Sequence, residues 1–415
     1  MKKAVLASLA AVVIGLCPLT LPPAAGAASP TEHVEGQILV KFRNDGARAG
    51  VLRQHGLSDG PSIGSTGARL IRVPAGKELR LVAALGNNPA VEYAEPDAVA
   101  TVATADEYFP RQYALQNDGQ SFTNTAGTVT VAGGKADADI DAVDAWTVTT
   151  GGGTKVAILD TGVATDNADI TPKVAARANF SSSTNGEDFY GHGTHVAGIV
   201  AATADNTVGV AGVCPGCTIL DGKVLNDAGS GSASSIARGI DWAVAQGAKV
   251  INMSLGMRVS SSTLEIAVNN AWKQGAVIVA AAGNTGTQSK IYPGAYTNVI
   301  AVAATDNRDA KASFSTYGAK WVDVAAPGVN IYSTFPNHAF ALGDAYGRSP
   351  GFDIASGTSM ASPIVAATAA LAWSAHPGST NASVRQKVES TADRIKPGTG
   401  SYWAHGRVNA GKAVR

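Results

Sequence analysis

From about residue 150 onward, short apolar runs alternate with stretches of helical spacing. Lys155-Val156-Ala157-Ile158-Leu159 is the first run. Thr218-Ile219-Leu220, Lys249-Val250-Ile251-Asn252-Met253, Ala276-Val277-Ile278-Val279-Ala280 and Val299-Ile300-Ala301-Val302 follow. None alternates apolar with polar, so both faces of each strand must be covered, as in a parallel sheet. Parallel neighbours need crossovers, and the helical stretches 194–203, 233–246 and 262–274 supply them. The expected fold is therefore α/β, an open, mostly parallel sheet with helices on both faces, occupying residues 105–415. Hydrophobic residues make up 45% of the 415, enough to fill such a core. Lysine plus arginine equals aspartate plus glutamate, 32 each, so there is no global basic field for nucleic acid.

What precedes the sheet reads differently. Residues 1–28 have Lys2 and Lys3, an apolar run from Ala4 to Leu16, and small residues at Ala25-Gly26-Ala27, the pattern of an export signal. Pro18, Pro22 and Pro23 interrupt the run before it reaches the ~20 residues of a membrane span. The alanine-rich run Ile364–Trp373 reads as a buried helix, so no membrane association is expected once the signal is removed. Residues 29–104 read as a small α+β unit. Strands are expected at 36–42, at 68–73 and at 91–97, the last broken by Pro96, with a helix over 78–85. A unit of this size without disulfides is marginal alone and calls for a partner surface. The featureless stretch 98–106 suits a cleavable linker. Cys214 and Cys217, in Cys-Pro-Gly-Cys, favour a structural bridge in an exported chain, with free thiols or a redox pair as alternatives.

Four places carry chemistry. Asp160 closes the strand 155–159 and precedes Thr161-Gly162, where open parallel sheets collect functional groups, although turns use Asp-x-Gly as well. His192 lies between glycines in Gly191-His192-Gly193-Thr194-His195, ahead of a helix that Thr194 could cap. A His-x-x-His metal pair is the rival reading there. Ser359, in Ser356-Gly357-Thr358-Ser359-Met360-Ala361-Ser362-Pro363, leads into a helix expected over 361–373, with Pro363 in its first turn. Asn284 ends the strand run 276–280 after Ala281-Ala282-Gly283, as a turn residue or an amide donor.

Taken together, Asp160, His192, Asn284 and Ser359, in that order on an α/β chain, resemble the subtilase (subtilisin-like) serine proteases. The segments Trp321–Gly328 and Tyr402–Ala410 are similar to thermitase-type members in particular. The resemblance implies that Ser359 attacks the peptide carbonyl, that His192 takes and returns its proton, and that Asp160 holds the imidazole. The Asn284 side chain and the Ser359 backbone N–H would bind the oxyanion. It also implies an extended protein or peptide substrate between Leu225–Gly231 and Ser254–Gly256, with Leu225, Gly229, Ser254, Leu255, Gly256 and Gly283 as contacts. Ile291 would lie near the base of the pocket for the side chain preceding the scissile bond. No charged residue walls that pocket, so an apolar or broad preference is expected, and not cleavage after Lys or Arg.

The same resemblance implies structural calcium held by Asp106, Asn179, Asn206 and the carbonyls of Thr203, Val208 and Val210, all hard oxygen donors. Asn179 stands where the family commonly has an acidic residue, and Ile364 where a His often follows Ser-Pro. Residues 29–104 would be an inhibitory propeptide that assists folding and is removed by the enzyme itself. The expected product is a secreted monomer. The rival readings are a protease restricted to one physiological target, a binding protein without activity, and an esterase. The intact set of four residues opposes the second, and the Ser-last order opposes the third.

Overall fold

Residues 33–98 and 106–415 are described by the computed structural model, and the chain divides into two units at residues 101 and 102. The export signal and most of the expected linker lie outside the described residues. In the first unit, β1 (His33–Phe42), α1 (Asp45–Gln54), β2 (Ala68–Arg72), α2 (Glu78–Gly86) and β3 (Val91–Ala98) follow in order. The strands form an antiparallel sheet, β2-β1-β3. Alternate residues Ile38, Val40 and Phe42 of β1 turn inward and meet Leu52 of α1 and Leu85 of α2. Pro96 does not break the last strand. It pairs opposite Ile38 within β3, an edge strand where a missing N–H leaves no ladder bond unmade.

The second unit opens with a small hairpin, β4 (Phe122–Thr123) and β5 (Thr130–Val131), and a short α3 (Ala142–Trp146). Then come β6 (Lys155–Asp160), β7 (Val174–Asn179), α4 (His192–Ala201), β8 (Thr218–Lys223), α5 (Ala233–Ala245), β9 (Val250–Met253) and α6 (Ser262–Lys273). After them follow β10 (Val277–Ala281), β11 (Ile300–Thr305), β12 (Val324–Pro327), β13 (Ile331–Thr334), α7 (Ala341–Tyr346) and β14 (Phe352–Ala355). The long α8 (Thr358–Ala375), α9 (Asn381–Ser390) and α10 (Ala410–Ala413) complete the chain. Seven strands form one sheet, β12-β11-β10-β9-β6-β8-β7, every pair parallel.

Burial on both faces follows from the continuous runs. Along β6, Val156 and Ile158 join the core beneath α4 and α8, whereas Ala157 and Leu159 join the core beneath α5 and α6. Side chains alternate across a strand, so each apolar run fills two cores at once. Ser232 and Ser261 start α5 and α6 by accepting the backbone N–H groups of Ser235 and Leu264. Cys214 and Cys217 are joined in a disulfide within the α4–α8 core.

Two helix starts differ from expectation. Helix α4 begins at His192, two residues before Thr194. Thr194 is occupied inside the helix, donating its hydroxyl to Asp188 at 2.6 Å and accepting from Ala164 N at 2.9 Å. Helix α8 begins at Thr358, so Pro363 sits in its second turn and not its first. A proline there leaves the carbonyl four residues earlier without its helical donor. That carbonyl belongs to Ser359, and the Ser254 hydroxyl donates to it at 2.7 Å.

Candidate active site

The sheet changes direction at β6. From β6 the chain goes to the edge strand β7, returns through β8, and then passes β6 to run outward through β9, β10, β11 and β12 on the other side. Such a switch opens a crevice at the carboxyl ends of the central strands. Asp160 ends β6, Ser254 follows β9, Gly283 and Asn284 follow β10, and Leu225 follows β8. Helices α4 and α8 pack on the same face of the sheet and bring the starts of both helices, with His192 and Ser359, to this edge.

His192 Nδ1 lies 2.7 Å from Asp160 Oδ1. The approach depends on Gly193, where a Cβ would stand 2.1 Å from the Gly162 carbonyl oxygen, so any larger residue would push α4 off the end of β6. Asp188, fully buried, fixes the turn before the helix. Its carboxylate accepts from Gly191 N at 2.8 Å, Thr194 N at 2.9 Å and Thr161 Oγ1 at 2.8 Å. Thr161 Oγ1 in turn accepts from Gly193 N at 2.9 Å. Burial by itself would lower the His192 pKa. The charge and hydrogen bond of Asp160, with Asp188 behind, outweigh it and hold the imidazole above its ordinary 6.5. Sequence reasoning missed Asp188. Its signal was position, four residues before His192 and three before the helix cap, where a carboxylate can serve unpaired N–H groups.

Ser359 occupies the second position of α8, among amides that have no helical acceptor. Its Oγ donates to the Ser254 carbonyl at 3.3 Å. Asn284 Oδ1 accepts from both Thr358 N and Thr358 Oγ1, each at 2.9 Å, which leaves the amide nitrogen as its free end. His192, Asn284 and Ser359 line one cavity of about 380 Å³. Such an arrangement joins a hydroxyl, a proton acceptor backed by a carboxylate, and amide donors at a helix N-terminus. His195 takes no part, because its ring is buried against Phe335 at 4.7 Å; the metal-pair reading fails for that reason.

Beyond His192 lies a second cavity of about 340 Å³, lined among others by Leu225, Gly229, Gly231, Ser254, Leu255 and Gly256. Gly283 lies outside that lining. It backs Ile291 instead: a Cβ at Gly256 would meet Ile291 Cγ2 at 2.4 Å, and one at Gly283 would meet Cγ1 at 2.8 Å. Both glycines thus give Ile291 its place between the two walls. Tyr292 and Met257 exchange backbone hydrogen bonds of 2.7 and 2.9 Å, which ties the Ile291 segment to the cavity edge. Apart from His192 this lining carries no charge.

Away from the cleft, several of the residues expected around calcium gather on a residue the sequence reading omitted, Asp169. Its Oδ1 accepts from Asn206 Nδ2 at 2.8 Å and its Oδ2 from Val210 N at 3.0 Å. Thr203 N and Oγ1 both donate to its carbonyl at 3.0 Å. Asp106 accepts from Asp205 N and Asn206 N at 3.1 and 3.0 Å. Val208 N donates to Asn206 Oδ1 at 2.8 Å. Burial pushes the Asp169 carboxyl up to about 6, and the nearby Asp106 charge adds to the rise. Two buried carboxylates and the Asn206 amide oxygen are hard donors of the kind calcium takes, whereas Thr203, Val208 and Val210 reach this group through N–H groups and the Thr203 hydroxyl. Among the described residues no three acidic, His or Cys side chains converge, so neutral oxygens would complete the shell. Asn179 is not part of this group. Its amide hydrogen-bonds to Ser183 O, Asn185 O and Ser181 N within its own loop.

The subtilase family model matches residues 151–408. The chain belongs to the subtilase family. This subtilase is 49% identical over 280 residues to thermitase of Thermoactinomyces vulgaris, covering 66% of this chain and 94% of the relative. It is 40% identical over 390 residues to a thermophilic serine proteinase of Bacillus sp. (strain AK1), covering 92% of this chain and 88% of that one. Among solved structures it is similar to a protease from Pseudoalteromonas arctica PAMC 21717, with 30% identity and a TM-score of 0.65, over 75% of this chain and 98% of the other. A prodomain model, described for the fervidolysin N-terminus, matches residues 21–97. The subtilase is thus a serine protease with an N-terminal prodomain, as the resemblance implied.

Proposed function

We propose that this subtilase is a secreted endopeptidase, made as a self-processing zymogen, that cleaves peptide bonds through an acyl-enzyme on Ser359. The observation that carries the proposal is the 2.7 Å contact of His192 with Asp160 beside a cavity shared by His192, Asn284 and Ser359. Ser359 Oγ turns from the Ser254 carbonyl toward His192 as substrate enters, and His192 takes its proton. Asp160 keeps the imidazole in the tautomer that accepts on the far nitrogen and stabilises the cation that forms. Asn284 Nδ2 and Ser359 N donate to the oxyanion, and His192 then protonates the leaving amine. Water repeats the sequence and frees the acid.

Residues 1–28 act as the export signal, 29–104 as the inhibitory propeptide, and 105–415 as the catalytic domain. The uncharged lining around Leu225, Gly229, Ser254, Leu255 and Gly256, with Ile291 behind, supports an apolar or broad preference before the scissile bond. Asp106, Asp169 and Asn206, with backbone oxygens of Thr203, Val208 and Val210, would hold calcium. The ion would cross-link the loop after α4 to the loop after β6. The domain acts as a monomer, since one chain supplies the whole site.

Expression of the wild type beside Ser359→Ala tests the reading. The wild type should appear without its propeptide and should cut peptides carrying Phe or Leu before the scissile bond far faster than those carrying Arg. Ser359→Ala should accumulate with the propeptide attached and cut none. A Ser359→Ala protein that matures and digests like the wild type would sink the proposal.

A further inference from the structure

Strands β13 and β14 pair as a hairpin, with Thr334 opposite Phe352. An ordinary hairpin turns in about two to five residues. Here residues 335–351 intervene, a connection that carries the short helix α7. It is held against the segment leading to His192. Ala341 N donates to the Phe189 carbonyl at 2.9 Å and Leu342 N to the Tyr190 carbonyl at 3.1 Å. Phe340 stacks on Phe335 with ring centroids 4.7 Å apart. Helix α7 then ends at Gly347, φ 59°, and the chain reverses so that Arg348 N bonds to the Gly343 carbonyl at 3.1 Å.

Arg348 thereby lines the cavity that contains His192, Asn284 and Ser359. It is the one permanent charge in the lining of either cavity along the cleft. Its Nη1 is buried with no hydrogen-bond partner, and no ion pair among the described residues involves it. A guanidinium in a cavity wall with no ion-pair partner of its own favours a bound anion there.

Geometry tells which part of a substrate arrives. The acyl half of the peptide runs between the edges Leu225–Gly231 and Ser254–Met257 in the first cavity. The chain beyond the scissile bond must leave past His192 on the other side, through the cavity of Arg348. We infer that Arg348 selects a carboxylate on the leaving-group side of the scissile bond. A carboxylate matches the planar fork of donors that a guanidinium presents. It would come from an Asp or Glu side chain in the first two positions after the cut, or from the substrate's own C-terminus. The inference rests on the endopeptidase reading above.

The test is kcat/KM on a peptide series with one fixed apolar acyl half. The first two leaving-group positions carry Glu, Gln or Lys, each peptide prepared as the free acid and as the amide. The mature wild type is compared with Arg348→Gln, Arg348→Lys and Arg348→Glu. Glu over Gln should favour Glu on the order of tenfold in the wild type. That ratio should fall to near one in Arg348→Gln, persist in part in Arg348→Lys, and turn toward Lys peptides in Arg348→Glu. A ratio that follows the free acid instead of the side chain assigns the carboxylate to the C-terminus and supports the same contact. Because each enzyme is judged by its own ratio, a loss of folded protein does not mimic the result. A Glu to Gln ratio unchanged in Arg348→Gln overturns the inference while leaving the endopeptidase standing. Failure of the wild type to cut any member of the series overturns both.

Discussion

His192 is pulled in two directions, and the balance sets the pH at which the site works. Burial favours the neutral ring, while Asp160 and Asp188 favour the cation and prevail. In the proposed mechanism the neutral ring is the base that Ser359 needs. On that reading, below the folded pKa the imidazole is protonated and the reaction stops; above it the base is free. The acid limb of kcat/KM should therefore rise through a pKa above 6.5, the ordinary value. Asp188→Asn removes one negative charge that stabilises the cation, so its acid limb should lie at lower pH. A pH profile of kcat/KM for both proteins checks this. A limb that stays in place would mean that Asp188 only shapes the turn before α4.

At the scale of elements, the start of α8 is held by a relay and not by the helix alone. Ser362 Oγ donates to Asn252 Oδ1 at 2.7 Å, Asn252 Nδ2 donates to Ser254 Oγ at 3.0 Å, and Ser254 Oγ donates to the Ser359 carbonyl at 2.7 Å. Pro363 makes the last link necessary, because it offers that carbonyl no N–H. In a Ser359→Ala background, which removes self-digestion, Ser254→Ala should lose about 0.5–1.5 kcal/mol of stability from the carbonyl left without its donor. Adding Pro363→Ala supplies a backbone N–H four residues on and should recover part of the loss. Thermal denaturation of the two single variants and the double variant reads the coupling. Strict additivity would show that the serine and the proline act independently.

For the molecule as a whole, the loops after β6 and α4 meet at Asp169. The Asp106 charge nearby adds to the rise of the buried Asp169 carboxyl. A bound calcium ion stabilises only the folded state, by about 2.7 kcal/mol when free ion exceeds Kd about a hundredfold. Chelator should lower the Tm of the Ser359→Ala protein, and Asp169→Asn should abolish most of that response. Asn179→Ala should respond as its parent does. If Asn179→Ala loses the response and Asp169→Asn keeps it, the ion sits at the other loop.

The sequence by itself determined a parallel sheet covered on both faces, five of its seven strands and the four groups along the cleft; β7 and β12 and the strand order came only with the structure. The apolar runs bury both faces of each strand whatever the loops do, and Asp160, His192, Asn284 and Ser359 stand in motifs whose glycines and strand ends limit where they can go. Pro96 looked like a break because a lone strand cannot show that it lies at an edge. Asp169, Asp188 and Arg348 were not legible in the same way. Each is a single polar residue in a turn-rich stretch, where local chemistry reads the same for a solvated loop and for a buried anchor. What they do depends on segments far along the chain: Asp106 and Val210 around Asp169, Thr161 around Asp188, Asn284 and Ser359 beside Arg348. Only tertiary packing brings those partners within reach, because burial and charge act through space and not along the chain.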